Sequence, residues 1–336
     1  MIGIVSHPED LHTREVVRHL DTLGAGSVLI DTARFPVDVA LTTTQDADGW
    51  SADWVGAGAT TSARDLRVMW WRRPQPFVLH PEVTGAQDRG FSHGECAAAV
   101  AGLWSCLGAH WVNDPDRDEA ASRKMWQLQV AAGLGLRVPR TCMTNDPQRA
   151  RAFVAAQPGG AIFKSFSATP QTWRETRPVR EVDLDLMDTV RFAPVIFQEL
   201  IPGGLDIRVT VVGEQLFPAE IRAGESAYEF DFRLDSAHAP IAEHALPDLV
   251  REQLLALMAR LGLWYGAIDL RLAPDGQYVF LEINPAGQWL FVEIATGQQI
   301  SAALAGLMAG LDAAQPVPSA PPVRRTVADR RVSRSR

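Results

Sequence analysis

The chain has 336 residues, enough for two or three structural units and a substantial core. Its 46% hydrophobic and 21% charged residues suit a globular protein; no apolar run reaches membrane-spanning length, and MIGIVSHPEDLHTREV lacks the basic-then-apolar layout of a secretory signal. The net charge of −8 is uneven, because residues 313–336 carry six Arg against one Asp; the remaining body, at −13, is a poor partner for nucleic acid.

In chain order, residues 1–115 alternate strand and helix. Residues 2–5 and 27–31 read as strands around a helix with apolar Leu11, Val16, Val17, Leu20 and Leu23. Residues 67–71 form another strand and 91–107 a helix of small residues, and 111–113 lead into Asp114-Pro115, a helix-start signal. Between 116 and 200 come one helix through DEAASRKMWQLQVAAGLGL, a strand over 140–144, a helix over 147–156, and strands over 161–166 and 195–201. Two long strands follow from about 205, then a helix over 247–261, a hairpin over 264–288 and a last helix over 298–310. The tail 313–336 is Pro-rich, then Arg-rich, with too few apolar residues to pack, and is expected to be disordered. The pattern is that of an α/β (α+β) protein with units over 1–115, 116–200 and 201–312. Cys96, Cys106 and Cys142 form no CxxC pair, which fits reduced thiols in a cytoplasmic protein.

Residues 264–288, WYGAIDLRLAPDGQYVFLEINPAGQ, hold the densest chemistry. Asp275-Gly276 suits a two-residue type I′ turn. Counting outward from it, Ala273 faces Tyr278, Arg271 faces Phe280 and Asp269 faces Glu282, so that Asp269, Arg271, Glu282 and Asn284 share one face. Two opposed carboxylates repel. Either a divalent cation lies between them, or the face is solvated and its acids pair with Arg271. Oxygen-only donors suit magnesium, and Arg271 beside that ion would be placed to hold a phosphate. Only two of the 32 basic residues are lysines, Lys124 in a helix and Lys164 in the apolar strand AIFKSF. In so Arg-rich a chain, a lysine marks a place where a compact ammonium is needed, and one in an apolar strand needs an anionic partner such as a nucleotide phosphate. The eight histidines are dispersed, with no Ser-His-Asp or Cys-His constellation.

The order Lys, Lys, QELI, DIR, DFR, DLR, EINPAGQ resembles the ATP-grasp superfamily of carboxylate ligases, and more narrowly the microviridin- or graspetide-type maturases that cyclise ribosomally made peptides. The resemblance runs from WWRRP to about residue 310. It implies the ATP-grasp fold, with 1–115 as a pre-ATP-grasp domain, 116–200 as a central subdomain bearing a lid and the leader-peptide contact, and 201–312 as the C-terminal subdomain, ATP lying in the cleft. Residue by residue, it implies Asp269, Glu282 and Asn284 as Mg2+ ligands and Lys124 and Lys164 on the ATP phosphates. The backbone around Glu199 and Leu200 would read adenine, and Asp206 would bind ribose. Arg208 and Arg271 would face phosphate or acyl phosphate, and Arg233 of Asp231-Phe232-Arg233 would close over the γ-phosphate. Arg72 and Arg73 of WWRRP would clamp acidic side chains of the peptide. One departure is the lid, where Ser165 to Pro170 contain no glycine.

The implied chemistry is activation of a carboxylate as an acyl phosphate, followed by attack of a hydroxyl or amine, with ATP and Mg2+ as cofactors and no enzyme nucleophile. The implied partner is a ribosomal precursor peptide with a leader and an acidic core; no nucleic acid or membrane partner is expected, and a homodimer stays open. Two other readings share the motifs, an intermolecular carboxylate–amine ligase of glutathione-synthetase or ribosomal-protein glutamate ligase type, and a nonenzymatic ATP-binding module. The module is disfavoured because both lysines and all three metal ligands are present.

Overall fold

The computed structural model describes residues 1–47, 49–56, 58–166, 176–203, 205–222 and 240–314. The first strands, β1 (Ile2–Val5) and β2 (Ser27–Ile30), flank α1 (Leu11–Thr22), whose first turn is capped by Asp10 accepting from the His12 N–H. An antiparallel meander follows, β3 (Val39–Asp46), β4 (Gly49–Gly56) and β5 (Ala59–Ser62). Then come β6 (Val68–Trp71), α2 (Ala86–Cys106) and β7 (His110–Val112), which complete a parallel sheet of order β2-β1-β6-β7. The meander is absent from the sequence-based expectation, although Trp50, Ala52 and Trp54 alternate as one face of a strand should; they pack with Phe35, Leu103 and Trp104.

The single helix expected after residue 116 is two, α3 (Pro115–Ala121) and α4 (Lys124–Gly133), broken at Ser122 and Arg123. A second sheet, of order β10-β9-β11-β8, is built from β8 (Thr141–Thr144), β9 (Ala161–Lys164), β10 (Arg177–Pro178) and β11 (Val195–Glu199). It is backed by α5 (Pro147–Ala155), with Ala150, Met187, Val190 and Phe197 forming its own core; Leu184 of α6 (Glu181–Asp185) packs against that core.

The third sheet is antiparallel, of order β14-β13-β12-β15-β16, from β12 (Leu205–Val212), β13 (Gln215–Ile221), β14 (Ile241–Glu243), β15 (Tyr265–Leu272) and β16 (Tyr278–Asn284). Alternation along β12 gives its two faces different work. Ile207, Val209 and Val211 pack under α7 (Asp248–Leu261) through Leu254, Leu257, Met258 and Leu261. Arg208, with Asp206 and Thr210, lies on the opposite face. Two last helices, α8 (Leu290–Thr296) and α9 (Ile300–Ala313), fold back onto the first sheet. Their Val292, Ile300, Leu304 and Met308 share one core with Ile2, Ile4, Leu20, Val68 and Trp70. The Met1 ammonium and Arg67 both bond Asp312 Oδ1, at 2.8 and 3.0 Å, which carries α9 beyond the expected residue 310. Among the described residues no single helix is long and apolar enough to cross a membrane.

Candidate active site

The hairpin places the predicted acids opposite one another by a route that counting did not foresee. The turn is a three-residue loop, Pro274-Asp275-Gly276, in which the Ala273 N–H donates to Gln277 O and the Gly276 N–H to Ala273 O, both at 2.9 Å. Proline holds φ near −65°, which suits a type I turn and not a type I′ turn, and Gly276 takes the left-handed position at φ 78°. This moves the ladder by one residue, so Arg271 faces Val279 and not Phe280. A bulge between Asp269 and Leu270 then moves it back, and Asp269 pairs with Glu282 and Ala267 with Asn284.

On the other side of β15, Asp269 pairs in register with Arg208 and Arg271 with Asp206. One face of three strands therefore carries Asp206, Arg208, Asp269, Arg271, Glu282 and Asn284. Arg208 Nη1 donates to both Asp269 oxygens, at 2.6 and 2.8 Å, and its Nη2 to Gln288 O at 3.2 Å. Lys124, the first residue of α4, reaches Glu282 Oε2 at 2.8 Å. Arg271 makes a two-toothed contact with Asp206, at 2.9 and 3.1 Å, and also donates to Ile201 O. The acids of the hairpin thus meet Arg208 and Lys124, not Arg271 as the solvated reading supposed. The break before α4 explains how Lys124 arrives there. Gln127 Nε2 donates to Ala121 O (2.6 Å) and Ile283 O (2.7 Å), while its Oε1 accepts the Ile283 N–H (3.2 Å). The buried amide covers the edge of β16 and sets α4 beside Glu282.

Asp269, Glu282 and Asn284 offer two carboxylates and an amide oxygen on adjacent strands, with the two acid side chains 18% and 24% exposed. This hard-oxygen set, open to solvent on one side, fits magnesium.

Lys164 ends β9 on the second sheet, whereas Glu282 lies on the third. At the end of β11 the Glu199 N–H donates to Arg140 O and the Leu200 N–H to Gly160 O, at 2.9 and 3.0 Å. Both are therefore engaged within the protein, and the next N–H, that of Ile201, has no partner among the described residues. Arg233 and the lid positions Ser167 to Pro170 lie outside the described residues, as does the tail beyond Ala314.

Arg72 is not at the surface. It is 1% exposed, with Nε on Asp10 Oδ2 (3.0 Å) and Nη1 on Ala286 O (2.6 Å) and Gly287 O (3.1 Å), so it cannot clamp a peptide directly. Arg73 is half-buried. The loop after Asn284 is held by further buried groups that the sequence reading missed. Asn113 donates to Tyr265 O and Pro285 O and accepts from the Trp264 and Tyr265 N–H groups. Tyr265 Oη donates to Gly287 O at 2.7 Å, and burial pushes its hydroxyl up to about 12. Gly287 is required by close approach, since a Cβ there would lie 2.4 Å from Ala267 Cβ.

His12 Nε2 accepts from the Trp289 and Leu290 N–H groups, at 3.2 and 3.3 Å, which leaves its proton on Nδ1 facing Asp10. Burial holds the imidazole pKa below its usual 6.5, against the pull of Asp10. The unfolded chain therefore takes up a proton here that the folded chain refuses, and stability contributed by neutral His12 is present above pH 6.5 and lost as pH falls below it. Denaturation midpoints for the wild type should drop as pH falls below 6.5, with a slope of at most about 1.4 kcal/mol per pH unit from this one group. His12→Gln should be less stable at pH 8 and should lack that component; parallel pH profiles for the two proteins would contradict the assignment. The carboxyl of Asp10 is held well below the carboxylate range, since its bonds to His12 and Thr13 and the Arg72 charge outweigh the large upward effect of burial, so Asp10 titrates outside that window.

Residues 1–119 match the MvdD pre-ATP grasp domain family. No curated protein matches the chain. Among solved structures, the macrocyclase MdnC bound with precursor peptide MdnA, from Microcystis aeruginosa MRC, is 29% identical, with a TM-score of 0.82 over 92% of this chain and 99% of that one. A Chryseobacterium gregarium RiPP-associated ATP-grasp ligase, in complex with ADP and a leader and core peptide, is 25% identical, with a TM-score of 0.85 over 95% and 99%. The ATP-grasp ligase PsnB, complexed with minimal precursor, Mg and ADP, is 27% identical, with a TM-score of 0.74 over 93% and 97%. The chain has the ATP-grasp fold and resembles RiPP-associated ATP-grasp ligases along nine-tenths of its length.

Proposed function

We propose that this chain is an ATP-dependent peptide macrocyclase acting on a ribosomal precursor peptide with a leader and an acidic core. The observation that carries the proposal is the row of Arg208, Asp269 and Glu282 across three strands, with Lys124 closing one end, in a chain that resembles precursor-bound ATP-grasp ligases. A carboxylate oxygen of an Asp or Glu side chain in the core attacks the γ-phosphorus of ATP, giving an acyl phosphate and ADP. A Ser or Thr hydroxyl, or a Lys amine, of the same peptide then attacks the acyl carbon. Phosphate leaves, a proton is released, and an ester or amide closes the ring with net loss of one water.

Asp269, Glu282 and Asn284 would hold the magnesium, which supplies charge neutralisation on the phosphates. Lys124 and Lys164 hold phosphate oxygens as compact point charges. Arg208 and Arg271 steady the negative charge that develops on the transferring group. The N–H of Ile201, one residue beyond the expected hinge pair and without a partner among the described residues, is the donor that would read the adenine edge, with Asp206 toward the ribose. Arg73 is the member of the WWRRP pair left to meet the acidic core. The central unit takes the leader, raising the effective concentration of the core at the cleft. Three free cysteines accord with a cytoplasmic site of action.

The test is mass spectrometry of a short acidic peptide rich in Ser, Thr and Lys and encoded beside this chain, incubated with the protein, ATP and magnesium. Loss of whole water masses that requires ATP and Glu282 is the expected result. An unchanged peptide, with ATP consumed only when free amino acids are added, would overturn the macrocyclase assignment in favour of an intermolecular ligase.

A further inference from the structure

Arg72 spends a buried guanidinium on backbone carbonyls 214 and 215 residues away. Its own backbone is pinned, since the Arg72 and Arg73 N–H groups both donate to Val5 O at the end of β1, at 3.1 and 2.9 Å. Behind it, Asp10 is fixed by the Thr13 hydroxyl at 2.9 Å and by the Ser6 hydroxyl at 3.3 Å. In front, the guanidinium carbon lies 4.9 Å from the Trp289 ring centroid, a cation–π contact. Arg72 is thus a rigid arm from the first sheet to the loop Pro285 to Gln288.

That loop joins two groups of the site. Asn284 Oδ1 accepts the Ala286 N–H at 3.1 Å, and Gln288 O accepts from Arg208, the partner of Asp269. A shift of the Ala286 and Gly287 carbonyls therefore moves the amide ligand on one side and the anchor of Arg208 on the other. Nη1 bonds both carbonyls while Nε bonds Asp10, so one rigid guanidinium plane fixes the carbonyls relative to Asp10, which a point-like ammonium on a flexible stem cannot do. Stability alone gives a weak reason for a buried ion pair at this place, because apolar replacements of such pairs are often neutral or better.

We infer that Arg72, backed by Asp10, is a positioning residue for the magnesium side of the site, acting through the Ala286 and Gly287 carbonyls on Asn284 and Arg208. The inference rests on the ligase reading above. It gives the first sheet a part in the chemistry that needs no contact with the peptide.

The experiment is calorimetric titration of the full chain with ADP over a range of magnesium concentrations, with thermal unfolding as the check on folding. For Arg72→Lys, the magnesium concentration at half effect should rise about tenfold, as for other residues that orient metal ligands from behind, while ADP affinity at saturating magnesium stays at the wild-type value. A folded Arg72→Lys protein with the wild-type magnesium half-point would overturn the inference. So would an ADP affinity lowered by one factor at every magnesium concentration, the sign of a structural loss alone. Should Arg72→Lys not fold, Asp10→Asn decides, since it keeps the shape and weakens the grip on Arg72; a raised half-point supports the inference and an unchanged one overturns it. A wild-type protein that binds no ADP at any magnesium concentration would remove the ligase reading itself, a result separate from either variant's.

Discussion

Glu282→Gln is expected to lose ring-forming turnover by about a hundredfold or more, because a neutral amide replaces one of two opposed carboxylates of the proposed magnesium set. The fold should survive. The Lys124–Glu282 pair is short at 2.8 Å, yet its two side chains are 22% and 24% exposed, and breaking a partly exposed ion pair costs about 1 kcal/mol or less. The diagnostic measurement is ADP binding with and without magnesium. The variant should keep most of its magnesium-independent affinity and lose the gain that magnesium brings. Wild-type turnover, or an undiminished magnesium effect, would remove Glu282 from the ligand set.

Asn113→Ala is expected to carry the largest stability loss, about 3–5 kcal/mol. Asn113 is 1% exposed and spends all of its amide on the backbone, donating to Tyr265 O (2.8 Å) and Pro285 O (3.2 Å) and accepting from the Trp264 and Tyr265 N–H groups (2.8 and 3.0 Å). Truncation strands those four backbone groups in an interior that includes Tyr265, Trp289 and Trp70. Chemical denaturation should show a lower midpoint at an unchanged slope. A loss below about 1 kcal/mol would mean that the Tyr265 and Pro285 groups find other partners or water. The variant also bears on the proposed site, since Pro285 follows Asn284 directly and its carbonyl is one of the points at which the loop after β16 is tied to the first sheet.

Much of the architecture was legible because it rests on local pattern. The first-sheet strands, the two long strands from 205, the helix over α7 and the hairpin were all read from periodicity and turn residues. The opposition of Asp269 and Glu282 was read correctly through two shifts that cancel, a longer turn set by Pro274 and a bulge at Asp269. A bulge leaves no mark in composition, and so the neighbouring pairing of Arg271 was misread. The break between α3 and α4 was equally hidden, because SRK continues a helical pattern; it forms because Gln127 satisfies Ala121 O and Ile283 together. Arg72 was expected to clamp the peptide, which needs an exposed guanidinium, and an arginine after an apolar strand is ordinarily exposed; here it is buried.

Taken alone, the sequence determined which residues were candidates: two acids and an amide on one hairpin face, two lysines in a chain otherwise built on arginine, and an order of motifs that resembles the ATP-grasp ligases. Alternation along a strand settles a side chain's face, and this property is local. The partner each charge meets was decided only by the tertiary structure. Arg208 takes Asp269 from 61 residues away, Lys124 takes Glu282 from 158, and Arg72 turns inward to carbonyls more than 200 residues on. Those choices depend on register between distant strands and on what is buried when the first sheet closes over the loop after β16, and neither is encoded in any short window of the chain.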